Sequence, residues 1–113
     1  MRHLEFLAPA IATLILVACA STPESPSTVS STTYACESGA LIQASYPDTD
    51  HARIEYQGRT HVLAIAVSAS GARYVGDGFE WWTKGSGPGS SGSLYQHLPD
   101  GTTGDAIELC TAR

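Results

Sequence analysis

Ala72-Arg73-Tyr74-Val75-Gly76-Asp77-Gly78-Phe79-Glu80-Trp81-Trp82-Thr83-Lys84 reads as two short strands folded about a tight turn. Asp-Gly takes the positive φ angles of a two-residue hairpin at little steric cost, and the aromatic and β-branched residues beside it suit a pleated strand. In the second arm a period of two puts Phe79, Trp81 and Thr83 on one face and Glu80, Trp82 and Lys84 on the other. One tryptophan can then serve a core while its neighbour lies outside, beside a lysine at the strand end. By physics alone Trp82 either covers an open end of the fold or meets a partner, since a large aromatic on an outer face needs something against it.

The same short period continues in both directions. Residues 41–46 end at Pro47-Asp48, and Ala52-Arg53-Ile54-Glu55-Tyr56 alternates before turning at Gln57-Gly58. Residues 60–67 are mostly apolar after His61, and residues 93–97 and 106–110 flank a loop around Pro99-Asp100-Gly101. No helical period is sustained. About seven or eight short strands with turns at this spacing predict an all-β domain, a small antiparallel barrel or sandwich.

Before the domain the chain changes character. Arg2, the apolar residues 7–17 and then Leu16-Val17-Ala18-Cys19 form a signal segment ending in a lipid-attachment site. The apolar run is about half the roughly 20 residues that a membrane-spanning helix needs, so residues 1–18 are expected to be removed and Cys19 to carry lipid. An ordinary secretory signal cleaved nearby is the alternative. Ala20 stands where an aspartate would favour the inner membrane, which points to the outer membrane, facing the periplasm. Residues 20–33 are nearly all Ser, Thr, Pro and Ala. Such a stretch cannot offset its ordering entropy, so a tether over 19–33 is expected ahead of a domain at 34–113.

With Cys19 assigned to lipid, Cys36 and Cys110 remain at the two ends of the folded part, and export to an oxidising compartment predicts one disulfide between them. The net charge of −5 argues against nucleic acid and anionic lipid surfaces and suits a basic partner.

Tyr34-Ala35-Cys36, Ser70-Gly71-Ala72-Arg73-Tyr74, Trp81-Trp82-Thr83-Lys84-Gly85 and Cys110, in that order, resemble the pattern of the membrane-bound inhibitors of c-type lysozyme, the MliC family. The resemblance runs from Tyr34 to Cys110. It implies an eight-stranded antiparallel β-barrel and a binding protein, not an enzyme, whose loop serine and strand-end lysine enter the lysozyme cleft and meet its two catalytic carboxylates. By position these are Ser70 and Lys84, with Tyr74 and Trp82 as supports or rim contacts. The implied partner is c-type lysozyme; no cofactor or metal is implied, and a homodimer is left open. One departure from the pattern is the Gly/Ser/Pro-rich stretch 86–92, a longer connection than expected, read as a flexible connector.

Without the resemblance, Ser70 is a turn residue bonding its own backbone, Lys84 a solvated strand end and Arg73 a surface residue. Asp48, Asp50 and His51 lack the spacing of a metal site and read as a solvated turn. Two other functions compete. One is a hydrolase using Ser70 with His61 or His97, although Ala69-Ser70-Gly71 is not the Gly-x-Ser-x-Gly elbow. The other is a structural or adhesive envelope lipoprotein.

Overall fold

The computed structural model describes residues 30–113; the expected leader, the lipid site at Cys19 and the tether up to residue 29 lie outside the described residues. Eight strands follow one another: β1 (Ser31–Cys36), β2 (Leu41–Asp48), β3 (His51–Tyr56), β4 (Arg59–Ala66), β5 (Ala72–Gly76), β6 (Phe79–Lys84), β7 (Ser91–His97) and β8 (Thr103–Ala112). Each pairs antiparallel with the next, and β8 returns to β1, so the sheet closes into a barrel and the sandwich alternative falls away. Closure pairs every strand on both sides and leaves no edge to aggregate.

Local chemistry sets the hairpins. Asp77 (φ 53°) with Gly78 (φ 77°), and Gln57 (φ 51°) with Gly58 (φ 76°), both supply the paired positive angles of the turn that follows strand twist. The seam is locked covalently: Cys36 lies opposite Cys110 in the β1–β8 register, and the two form a disulfide across 74 residues. A loop of that length is worth about 4.5 kcal/mol in the chain-entropy model.

Alternation fills the barrel. Ile42, Ala44, Ala52, Ile54, Leu63 and Leu94 are fully buried around Trp81. Tyr34 meets the Trp81 ring edge-on at 5.0 Å. Gly92 leaves the room this needs: a Cβ there would lie 2.6 Å from the Trp81 ring and 2.8 Å from that of Tyr34. At the far end of the interior the Glu108 carboxylate accepts hydrogen bonds from Tyr56 Oη and Ser38 Oγ, each at 2.6 Å. That bond to Glu108, with burial, pushes the Tyr56 hydroxyl up to about 12.

Boundaries shift where tertiary pairing extends an element. β1 begins at Ser31, so residues 31–33, read as tether, pair with Ser45, Ala44 and Gln43 of β2. β2 runs through Pro47 to Asp48 by way of a bulge after Ser45. Ser91 and Gly92, read as part of the connector, are the first residues of β7 and pair with Lys84 and Thr83. The Asp48, Asp50, His51 cluster is a turn in which Asp48 Oδ1 accepts from the Asp50 N–H at 2.8 Å and sits 2.8 Å from His51 Nδ1.

Candidate functional site

At one rim the odd-numbered strands begin and the even-numbered strands end, so Ser31, the 67–71 loop, Lys84, the 85–90 loop and Arg113 share that end of the barrel. β6 delivers two of the expected residues there. Its alternation places Trp81 inside at 0 % exposure and Trp82 outside, half-buried, with Lys84 exposed as the strand leaves the sheet.

Trp82 gathers the site. Its indole Nε1–H donates to the Ser70 carbonyl at 2.8 Å, and Lys84 Nζ stands 5.8 Å from the ring centroid, within cation–π range. The loop is drawn against the strand end at Gly71, whose φ is 69° and whose position would put a Cβ 2.3 Å from the Thr83 carbonyl oxygen and 2.9 Å from Lys84 Cγ. Only glycine permits that approach. Ser68 Oγ donates to the Ser70 and Gly71 carbonyls, both at 3.0 Å, which closes the turn. Ser70 and Lys84 are thus both exposed and both held by one indole, Ser70 through its carbonyl at the ring N–H and Lys84 over the ring, and among the described residues Lys84 enters no ion pair. An unneutralised ammonium and an exposed serine hydroxyl at one rim are suited to meeting carboxylates.

Tyr74 is placed differently. It faces inward at 7 % exposure, its ring 5.5 Å from that of Tyr46, and with Tyr34, Tyr46, Thr83 and Ser90 it lines a cleft of about 260 Å³ in the barrel mouth. Burial, then the neighbouring Tyr46, raises the Tyr74 hydroxyl, and the same two causes push Tyr34 up to about 12. Both stay neutral donors at physiological pH. Tyr74 therefore supports the rim from within and does not share the outer surface of Ser70 and Lys84.

Arg73, read as a surface residue, is instead held fast. Its Nε donates to Glu80 Oε1 at 2.5 Å, Nη1 donates to the Val67 carbonyl at 3.3 Å, and the guanidinium lies 6.0 Å from the Trp82 centroid. Glu80 is fully buried although it points outward. Thr103 Oγ1 donates to it at 2.9 Å and His97 Nδ1 lies 2.9 Å from its second oxygen. Burial alone would raise this carboxyl; the bonds from Arg73, His97 and Thr103 outweigh it and hold Glu80 below the usual range. The hairpin register could have shown this pair: Val75 faces Glu80 and Arg73 faces Trp82, so Arg73 and Glu80 are diagonal neighbours on one face.

The histidines considered as bases for Ser70 lie elsewhere. His61 Nδ1 sits 3.0 Å from Asp77, its ring edge-on to Phe79 at 5.0 Å, and the His97 N–H bonds the Gly78 carbonyl. Both belong to the turn end of β6, about 16 Å along the strand from Lys84 at about 3.3 Å per residue.

The family model described as membrane-bound lysozyme-inhibitor of c-type lysozyme matches residues 34–103. A curated relative from Cupriavidus necator, the membrane-bound lysozyme inhibitor of C-type lysozyme, is 34 % identical over 83 residues, which cover 71 % of this chain and 63 % of the relative. The chain therefore spans less than two thirds of that relative's length. No solved structure matches the chain. With β2 to β7 and the entire Ser70–Trp82–Lys84 cluster inside the matched residues, the chain belongs to the family of membrane-bound inhibitors of c-type lysozyme.

Proposed function

We propose that this protein inhibits c-type lysozyme by inserting Ser70 and Lys84 into the active-site cleft, and that lipid on Cys19 holds it at the outer membrane, facing the periplasm, where it protects peptidoglycan. The observation that carries the reading is the exposed pair of Ser70 and Lys84 held on one indole. Lysozyme works with a protonated carboxyl as acid and an ionised carboxylate beside it. An ammonium set between those groups stabilises both as anions, which removes the proton the leaving group needs. The Ser70 hydroxyl, donor and acceptor at once, bonds whichever form it meets. Substrate is excluded by the same insertion. Val67, 93 % exposed at the start of the loop, adds an apolar rim contact. Trp82 acts mainly by holding the pair, and Tyr74 by bracing the mouth beneath it.

This is a binding activity: among the described residues the two histidines considered as bases for Ser70, His61 and His97, are engaged at the other end of β6. The −5 charge favours encounter with a basic enzyme, so association slows as salt rises. Close interfacial charge pairs couple by about 1.5 to 7 kcal/mol, which makes Lys84 the leading contact. The test is the rate at which a c-type lysozyme clears a cell-wall suspension in the presence of the oxidised mature chain. Lys84→Ala should weaken inhibition on the order of a hundredfold and Ser70→Ala by less, with unchanged melting. Equal potency of Lys84→Ala and the parent, or no inhibition at tens of micromolar, overturns the reading.

A further inference from the structure

We propose that Arg73, anchored by the buried Glu80, is the positioning residue that sets the 67–71 loop for its target; this rests on the reading of Ser70 and Lys84 given above. The outer face of a barrel strand is normally wet, yet Glu80 is fully buried there beneath Arg73 from β5, His97 from β7 and Thr103 from β8. A packed barrel does not require a buried charge at such a place, and an apolar group would cover it at lower desolvation cost. What the carboxylate adds is direction: it fixes the plane of the guanidinium.

The fixed guanidinium then acts at two points of the loop. Nη1 donates to the carbonyl of Val67 at 3.3 Å, where the loop leaves β4. The same group packs over Trp82 at 6.0 Å, and that indole donates to the carbonyl of Ser70. Both ends of the exposed segment are therefore tied to one side chain, and a loop ordered before contact loses less freedom on binding. Lysine cannot substitute, because a single ammonium lacks the planar fork that serves a carboxylate, a carbonyl and an aromatic face together.

The two tryptophans supply an internal comparison, because only two indole N–H signals arise from the chain. Trp82 bonds Ser70, whereas Trp81 bonds Tyr46 Oη at 3.2 Å inside the mouth. The experiment measures solvent exchange of both indole protons by nuclear magnetic resonance in the oxidised mature chain, with Trp82→Phe to assign them, alongside lysozyme inhibition. Arg73→Lys and Arg73→Gln should speed exchange at Trp82 about tenfold or more, leave Trp81 unchanged, and weaken inhibition about tenfold. Arg73→Gln leaves Glu80 buried without its cation, so the double variant Arg73→Gln/Glu80→Gln accompanies it. Loss of Trp82 protection and of inhibition in a double variant that melts like the parent separates positioning from stability. Acceleration of both indoles together, of neither, or of Trp82 with inhibition intact overturns the proposal. If the parent chain fails to inhibit lysozyme, the lysozyme reading fails, while the indole exchange still decides whether Arg73 positions the loop.

Discussion

Gly71 shows how much one missing side chain can carry. Its positive φ and its contact with the Thr83 carbonyl and the Lys84 stem are both incompatible with a Cβ. Gly71→Ala must lift the loop from the strand end, so we expect a melting temperature lower by roughly 5 to 10 °C and inhibition weakened at least about tenfold. Gly58→Ala is the matched comparison: its φ is 76° but nothing lies within 4 Å, so it should destabilise the barrel and leave inhibition intact. Thermal melts and the wall-clearing assay distinguish the two. That Ser70-Gly71 makes a turn was legible from the dipeptide. The hairpin register, carried one step past Ala72 and Thr83, sets the glycine across from Lys84; that the approach is too close for a Cβ was not legible, because it depends on the positive φ the loop takes there.

β6 serves three purposes through its period of two. Trp81 fills the barrel, Trp82 and Lys84 lie on the outer face at the rim, and Glu80 anchors the outer network. Glu80 also gives the domain an acid limb. Its folded value lies below the ordinary 4.5, so the stability it contributes is present above that range and is lost as pH falls through the folded value. Denaturant unfolding followed from about pH 7 to about pH 3 should show stability falling below about pH 4.5, and Glu80→Gln should flatten that fall. The two faces of β6 were legible in the sequence, and its tryptophans divide as the alternation predicts. The complete burial of Glu80 was not, because His97 and Thr103 reach it only once β7 and β8 have folded against β6.

At the scale of the whole molecule, the rim that bears Ser70 and Lys84 is also the rim where the chain enters the barrel at Ser31. If Cys19 is lipidated, the site faces back toward its own anchor. The stretch between Cys19 and Ser31 reaches at most about 40 Å, while a globular partner of 100 to 150 residues is about 35 Å across. The partner then has little room to spare beneath the rim. Deleting residues 22–27 should therefore abolish inhibition by the lipidated protein on vesicles, while the same deletion in a Cys19→Ser chain free in solution should inhibit like its parent. Equal inhibition by long and short lipidated chains would show that the domain turns its site outward by another route.

By itself the sequence determined the local structure: period-two segments, Asp-Gly and Gln-Gly turns, and two cysteines placed at the ends of the domain, because each depends on residues near one another or on a simple count. Resemblance carried by short motifs reached the family and put forward the pair Ser70 and Lys84. Only the tertiary structure decided closure of β8 onto β1, the inward setting of Tyr74 and the burial of Glu80 beneath His97 and Thr103. Those features follow from which strands meet around a ring, and a buried charge or a loop pinned to an indole becomes stable only when partners distant in sequence arrive together.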